Sequence, residues 1–224
     1  MNVFTYQILY SIILKMGICK IRKSRVILEG GIMSQLPVKM LIQSDCQRYG
    51  GKNSWLGRLR TKLVYPSFRY TCEHRKVHRY IEEGKKGIGY YYHRYKLLKY
   101  SIKFGYQINA ETKVGPGLYL GHRGTVIVNG NAVLGANINL ATGVTIGQEN
   151  RGKRKGCPTI GNCVWIGSNS VIVGKITIGD NVLIAPGTYV NFDVPSNSIV
   201  VGSPVKIIPN EAATDGYIQR PYLE

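Results

Sequence analysis

From Ile108 onward the chain repeats an apolar residue every six positions, usually with a small residue beside it. A first set of hexads reads INAETK, VGPGLY, LGHRGT. A second reads VNGNAV, LGANIN, LATGVT, IGQENR, and a third IGNCVW, IGSNSV, IVGKIT, IGDNVL, IAPGTY, VNFDVP. This period specifies a β-solenoid, in which each hexad gives one short strand and one turn and three hexads close a triangular coil. The aliphatic positions are Ile108, Val114 and Leu120, then Val128, Leu134, Leu140 and Ile146, then Ile160, Ile166, Ile172, Ile178, Ile184 and Val190. Stacked coil on coil, they form an interior column. Glycine and asparagine beside them serve turns that need positive φ or close backbone approach.

The register breaks twice. Two extra residues follow His122, and a slip of two keeps the same side chains inward, so Val126 and Ile138 make an equally good column and the period leaves the choice open. The second break, GKRKGCPT at 152–159, is basic and contains glycine. Such a segment cannot pack inside an apolar prism and is expected to be an external loop.

The first half is a different object. Residues 1–106 carry 21 Lys+Arg against 5 Asp+Glu and hold 12 of the 16 tyrosines, whereas residues 107–224 carry 9 against 7. Between Leu41 and Lys103 the apolar residues fall mostly at helical spacing, with turn signals at 49–53, Pro66 and 84–89, which predicts three or four short helices. A basic, aromatic surface suits an anionic partner: nucleic acid, an acidic polysaccharide or the anionic cytoplasmic leaflet. No RNP-like, zinc-finger or helix-turn-helix signature selects nucleic acid, so a membrane surface ranks first. The plain alternative is that the charges solubilise a helical face.

The apolar stretch Val3–Leu14 is too short to span a bilayer and shows no small-residue cleavage site, so no secretory signal is expected. It reads as an interfacial helix or as an upstream extension, since Met33 and Met40 are alternative starts. Five cysteines without C-x-x-C spacing suggest neither a disulfide framework nor a zinc site, and fit a reducing cytoplasm. The expected organisation is an N-terminal extension (1–40), a basic tyrosine-rich helical region (41–106), the β-helix (107–208) and a tail (209–224).

Of four histidines, only His122 lies in the repeat, two places after an interior leucine and beside a register break. It is therefore expected to project at a coil corner. A neutral imidazole there can take a proton from an attacking hydroxyl in acyl transfer, and a backbone N–H of a glycine-rich turn can hold the oxyanion. Cys157, in the external loop beside Arg154 and Lys155, is the competing nucleophile, because those charges would favour a thiolate. A catalytic zinc typically wants three protein ligands, and one solenoid histidine argues against that.

The segments VGPGLYLGHRGTVIVNG, ATGVTIGQENRGKRKGCPTIG and VPSNSIVVGSPVKII resemble the hexapeptide acyltransferases. Within these, the resemblance is to the branch shared by serine acetyltransferases and the acetyltransferases of capsular, exopolysaccharide and colanic-acid gene clusters. It runs from about Leu41 to Ile208. It implies a mainly β fold, a left-handed parallel β-helix after a small α-helical region, in a homotrimer whose active sites lie between subunits. It implies acetyl-CoA as co-substrate, no metal, and His122 as catalytic base. Cofactor contacts would fall at Gly147, Ser168, Ala185 or Pro186, with Lys206 placed to meet a CoA phosphate. The serine acetyltransferase pattern is broken where an aspartate is replaced by Gln107, a second by Gly121 and a histidine by Cys157. The tail also lacks a terminal isoleucine. Those changes disfavour serine and point to a sugar hydroxyl of a surface polysaccharide, with Gln107, Asn109, Glu111, Arg123 and Cys157 as acceptor-site candidates. What orients His122 stays open among Gln107, Glu111 and a backbone carbonyl. A serine acetyltransferase, or a silent binding scaffold, are the alternatives.

Overall fold

The computed structural model describes residues 36–202 and 204–222. The expected interfacial or dispensable segment at 1–35 lies outside the described residues.

Among the described residues four helices come first: α1 (Val38–Arg48), α2 (Trp55–Val64), α3 (Pro66–Glu82) and α4 (Ile88–Phe104). The predicted turn signals fall at their boundaries. Ser54 caps α2 by accepting from the Gly57 N–H, Pro66 opens α3 at a position where its missing N–H costs nothing, and Gly105 ends α4 in the left-handed region. Two of the four are longer than the expected short helices, at 17 residues each.

Fifteen strands of two to four residues follow. They stack as three sheets, here faces A, B and C, of five, four and six strands. Along face A, Ile108, Val128, Ile146, Ile172 and Val190 align in register; along face C, Leu120, Leu140, Ile166, Ile184 and Val200 do the same. Every predicted interior aliphatic is buried, so the parallel β-helix read from the period is the observed one.

The open question of register resolves in favour of both columns. Val126 and Ile138 are as fully buried as Val128 and Leu140, because each face turns two alternate residues inward. The two residues after His122 lengthen the first coil; of the expected loop 152–159, the part up to Gly156 leaves as a hairpin closed by Glu149 and Gly156, whereas Cys157 packs on the core and Thr159 is already in the next strand. A third irregularity was not foreseen: Ile184 pairs with Val200, so the last coil is two residues short of three hexads.

At one corner the chain repeatedly enters the left-handed region, at Gly117, Asn137, Cys163, Asn181 and Asn197. Asparagine tolerates this conformation and glycine adopts it freely, which is why those residues recur there.

The outer surface of face C is covered. Tyr119 packs on Tyr49, Trp165 meets Tyr217, and an antiparallel strand, Lys206–Pro209, caps the last coil. The tail returns toward α1, with Asn137 exchanging two hydrogen bonds with Tyr222 and Gln47 donating to the Pro221 carbonyl.

Candidate active site

The three corners of the β-helix sort the predicted site residues. His122 lies two residues past Leu120, and the aligned positions on later coils are Thr142, Ser168 and Pro186. All four sit at corner C/A, where the chain leaves face C for face A. Ala185 is one residue before Pro186, and Lys206 pairs with Val201, the equivalent of Ala185 on the last coil. This corner therefore runs from His122 to Lys206 across the six strands of face C, five spacings of adjacent strands or about 24 Å. Arg123 belongs to the same end.

Gly147, Asn109 and Glu111 fall instead at corner A/B, Gly147 as the last residue of its face A strand and the other two just beyond theirs. Asn109 aligns with Asn129, one residue past Ile108 and Val128, and Gly147 follows Ile146 in the same way. Cys157 joins this group, its Sγ 3.3 Å from Asn129 Oδ1. Gln107 sits between the two corners on the exposed row of face A. The period gave no hint of this division: Gly147 ends a face A strand, whereas Ser168 and Ala185 follow face C strands. The corners are separated by three residues of strand, about 10 Å.

His122 and Arg123 are exposed, as expected of a corner. Among the described residues the imidazole has no hydrogen-bond partner, so Glu111, at the other corner, and Gln107 do not hold it. What is held is the backbone. The Tyr106 hydroxyl donates to the His122 carbonyl at 2.9 Å, and Ser67 Oγ of α3 lies 2.7 Å from that hydroxyl. Ser101 Oγ of α4 donates to the Tyr106 carbonyl, and the Gly124 N–H donates to the Phe104 carbonyl at 3.0 Å. Tyr106 is fully buried, and burial pushes its phenol above the ordinary range. The position of Tyr106, two residues before Ile108 on the inward column, was the only sequence signal for this clamp.

A thiolate at Cys157, the competing nucleophile, is not favoured by its surroundings. Burial raises its pKa, and Arg154 donates to the Asn191 carbonyl instead of lying against the sulfur. The hairpin turns the arginine outward while the cysteine faces Asn129.

On the C/A corner the backbone is partly committed to the solenoid. The Gly187 N–H donates to the Ser168 carbonyl at 2.8 Å, and the Ala185 N–H to Val200 at 2.8 Å. Its outer side is open: a Cβ on Gly187 would meet no atom within 4 Å. A recess of about 530 Å³, lined by residues between Tyr49 and Tyr65, contains none of the predicted site residues. Among the described residues no three His, Cys, Asp or Glu side chains gather to hold a metal ion.

Comparison with known proteins agrees with this architecture. The family described as bacterial transferase hexapeptide (six repeats) matches residues 157–191. A serine acetyltransferase of Synechococcus elongatus is 32% identical over 152 residues, 67% of this chain and 60% of that one. A putative colanic acid biosynthesis acetyltransferase of Escherichia coli K12 is 41% identical over 105 residues, 46% of this chain and 64% of that one. Among solved structures, serine acetyltransferase of Neisseria gonorrhoeae in complex with serine shares 32% identity with a TM-score of 0.61, covering 76% of this chain and 69% of that one. That of Brucella abortus in complex with coenzyme A shares 28% identity with a TM-score of 0.63, covering 76% and 67%.

The chain belongs to the hexapeptide-repeat transferase family. Within it, the chain is one of the serine acetyltransferase-like members, and it spans less than two thirds of the length of the curated relatives named above.

Proposed function

We propose that this protein transfers an acetyl group from acetyl-CoA to a sugar hydroxyl of a bacterial surface polysaccharide, with His122 as general base. The observation that carries the reading is the single open corner joining His122, Thr142, Ser168 and Pro186 to Lys206. Its length suits an extended thioester whose acyl end reaches His122 while its phosphates approach Lys206. Acetyl-CoA supplies an activated acyl group. The neutral His122 imidazole takes the proton of the attacking hydroxyl and returns it to the departing thiolate, so no enzyme-bound acyl group is needed. Tyr106 and Ser67 fix the backbone from which the imidazole projects.

The acceptor assignment rests on what the site lacks. Gln107, Gly121 and Cys157 stand where the serine acetyltransferase pattern has two aspartates and a histidine, which removes the charges suited to a small zwitterion. Asn109, Glu111 and Cys157 lie about 10 Å from the His122 corner, so a site using both corners takes them from two subunits. The uncovered row of face A carries Ile127 and Tyr189 and suits such a contact in a homotrimer. We place the protein at the cytoplasmic face of the membrane, where lipid-linked sugars are built.

The acceptor is tested by following CoA release from acetyl-CoA with L-serine and with lipid-linked or polymeric glycan of the host in parallel. Glycan-dependent release supports the reading. Release with serine alone moves the protein to serine acetylation, the activity named for the serine acetyltransferase relatives.

A further inference from the structure

Helix α4 is apolar on two sides. Its inner side, with Leu97 and Phe104 buried and Tyr90, His93 and Tyr100 half-buried, packs toward α3 and the first coil. On the other side Ile88, Tyr91, Tyr92, Tyr95, Leu98 and Ile102 are between 57% and 91% exposed. At 3.6 residues per turn these six, with Lys99 among them, fall in an arc of about 120° along a helix of about 25 Å. A helix with apolar residues on both sides is normally covered on both.

Charge identifies the cover. Residues 84–104 carry six Lys and Arg and no Asp or Glu. Lys96 is paired with Glu73 of α3 at 3.2 Å and Lys85 with Glu83 at 2.9 Å. Lys86, Arg94, Lys99 and Lys103 have no acidic partner among the described residues. Arg94 flanks one margin of the arc, and Lys96 and Lys103 the other. A second copy docking through this face by a twofold would set the same cations against themselves. An anionic lipid surface does the reverse: aromatic and aliphatic side chains enter the headgroup boundary while the cations meet lipid phosphates. α2 exposes a shorter face of the same kind, Trp55, Leu59 and Leu63, beside Arg58 and Lys62.

We propose that the outer face of α4 is a docking surface for an anionic bilayer, on which the helix lies parallel to the membrane plane. This deepens the membrane-side placement above and rests on that part of the reading alone; acetyl transfer to a soluble glycan fragment does not depend on it.

The test is co-sedimentation of the full chain with vesicles of phosphatidylcholine, with and without phosphatidylglycerol, across a salt series. Binding is expected only to the phosphatidylglycerol vesicles and is expected to weaken as salt rises. Two variants probe the two components: Tyr95→Ser/Leu98→Ser/Ile102→Ser, and Lys86→Gln/Lys99→Gln/Lys103→Gln. Each is expected to bind at least about tenfold more weakly while keeping wild-type circular dichroism and CoA release with a soluble glycan fragment. Equal sedimentation with both vesicle types, no sedimentation at all, or unchanged binding by the lysine variant would overturn the proposal. So would a fall in molar mass by light scattering in the serine variant without loss of vesicle binding, which would make the face a contact between copies.

Discussion

The β-helix and the helices in front of it are held together by opposite means. Inside the β-helix the core is a stack of aliphatic side chains, and each coil satisfies the backbone of the next. The first coil has no coil before it, so its N–H and C=O groups form an exposed sheet edge. The helices close that edge with buried polar side chains. The Tyr70 hydroxyl accepts from Ile108 N–H at 3.0 Å and donates to its carbonyl at 3.1 Å; the Tyr49 hydroxyl treats Leu120 in the same way at 3.1 and 3.3 Å. Arg75 donates to the Val114 and Gly115 carbonyls and is paired in bidentate fashion with Asp45, which also accepts from the Leu118 N–H. Ser44 accepts from Gly117, and His74 and His78 contact the Asn109 and Ala110 carbonyls. A repeating core tolerates small apolar changes, whereas a polar cap depends on individual atoms.

Substitutions should expose that contrast. Asp45→Ala leaves Arg75 buried without its counterion and orphans the Leu118 N–H, and is expected to lower unfolding free energy by about 3–5 kcal/mol in urea titration. A loss below about 1 kcal/mol would mean the cap is not fixed by this pair.

His74 makes the cap acid-sensitive. Burial lowers its pKa to about 3, and the ring stays neutral with Nε2 against the Asn109 carbonyl. The unfolded chain binds a proton at about pH 6.5 and the folded chain does not, so its contribution is complete above that pH and is lost as pH falls toward 3. The slope reaches about 1.4 kcal/mol per pH unit. His74→Gln, which keeps a donor without titrating, should flatten the stability profile between pH 6.5 and 4.5; an unchanged profile would contradict this.

Tyr70→Phe removes one hydroxyl but strands both the N–H and the carbonyl of Ile108, with an expected cost of about 1–3 kcal/mol. Ile166→Val, in the middle of the β-helix, should cost only about 0.5–1.5 kcal/mol. Thermal melts of the two variants rank them, and the reverse order would break the comparison.

The same contrast explains what the sequence made legible. Ile108 through Val190 announced their places because one side-chain property repeats at a fixed period. Asp45, Tyr49, Tyr70 and Arg75 did not, because their partners, backbone groups and each other's side chains, lie 30 to 73 positions away and the residues look like ordinary members of a basic helical stretch. Part of the tyrosine enrichment read as a surface feature is thus internal capping. His122 at a corner followed from its distance to Leu120. The split of Gly147 and Cys157 from Ser168 and Ala185 did not, since a hexad label alone does not say which face a turn follows. The charge expected beside Cys157 was read from neighbours in sequence, Arg154 and Lys155, whereas in the structure Arg154 reaches the Asn191 carbonyl.

The central claim, that His122 at the C/A corner is the base of an acetyl transfer, is tested most directly by acceptor-dependent release of CoA from acetyl-CoA by wild type and His122→Ala. Both proteins would be matched for circular dichroism and for acetyl-CoA binding by calorimetry. The account predicts a loss of about 10²–10⁴-fold in turnover with acetyl-CoA affinity retained. Equal turnover by the two proteins, or no acetyl-CoA binding by either, would contradict it.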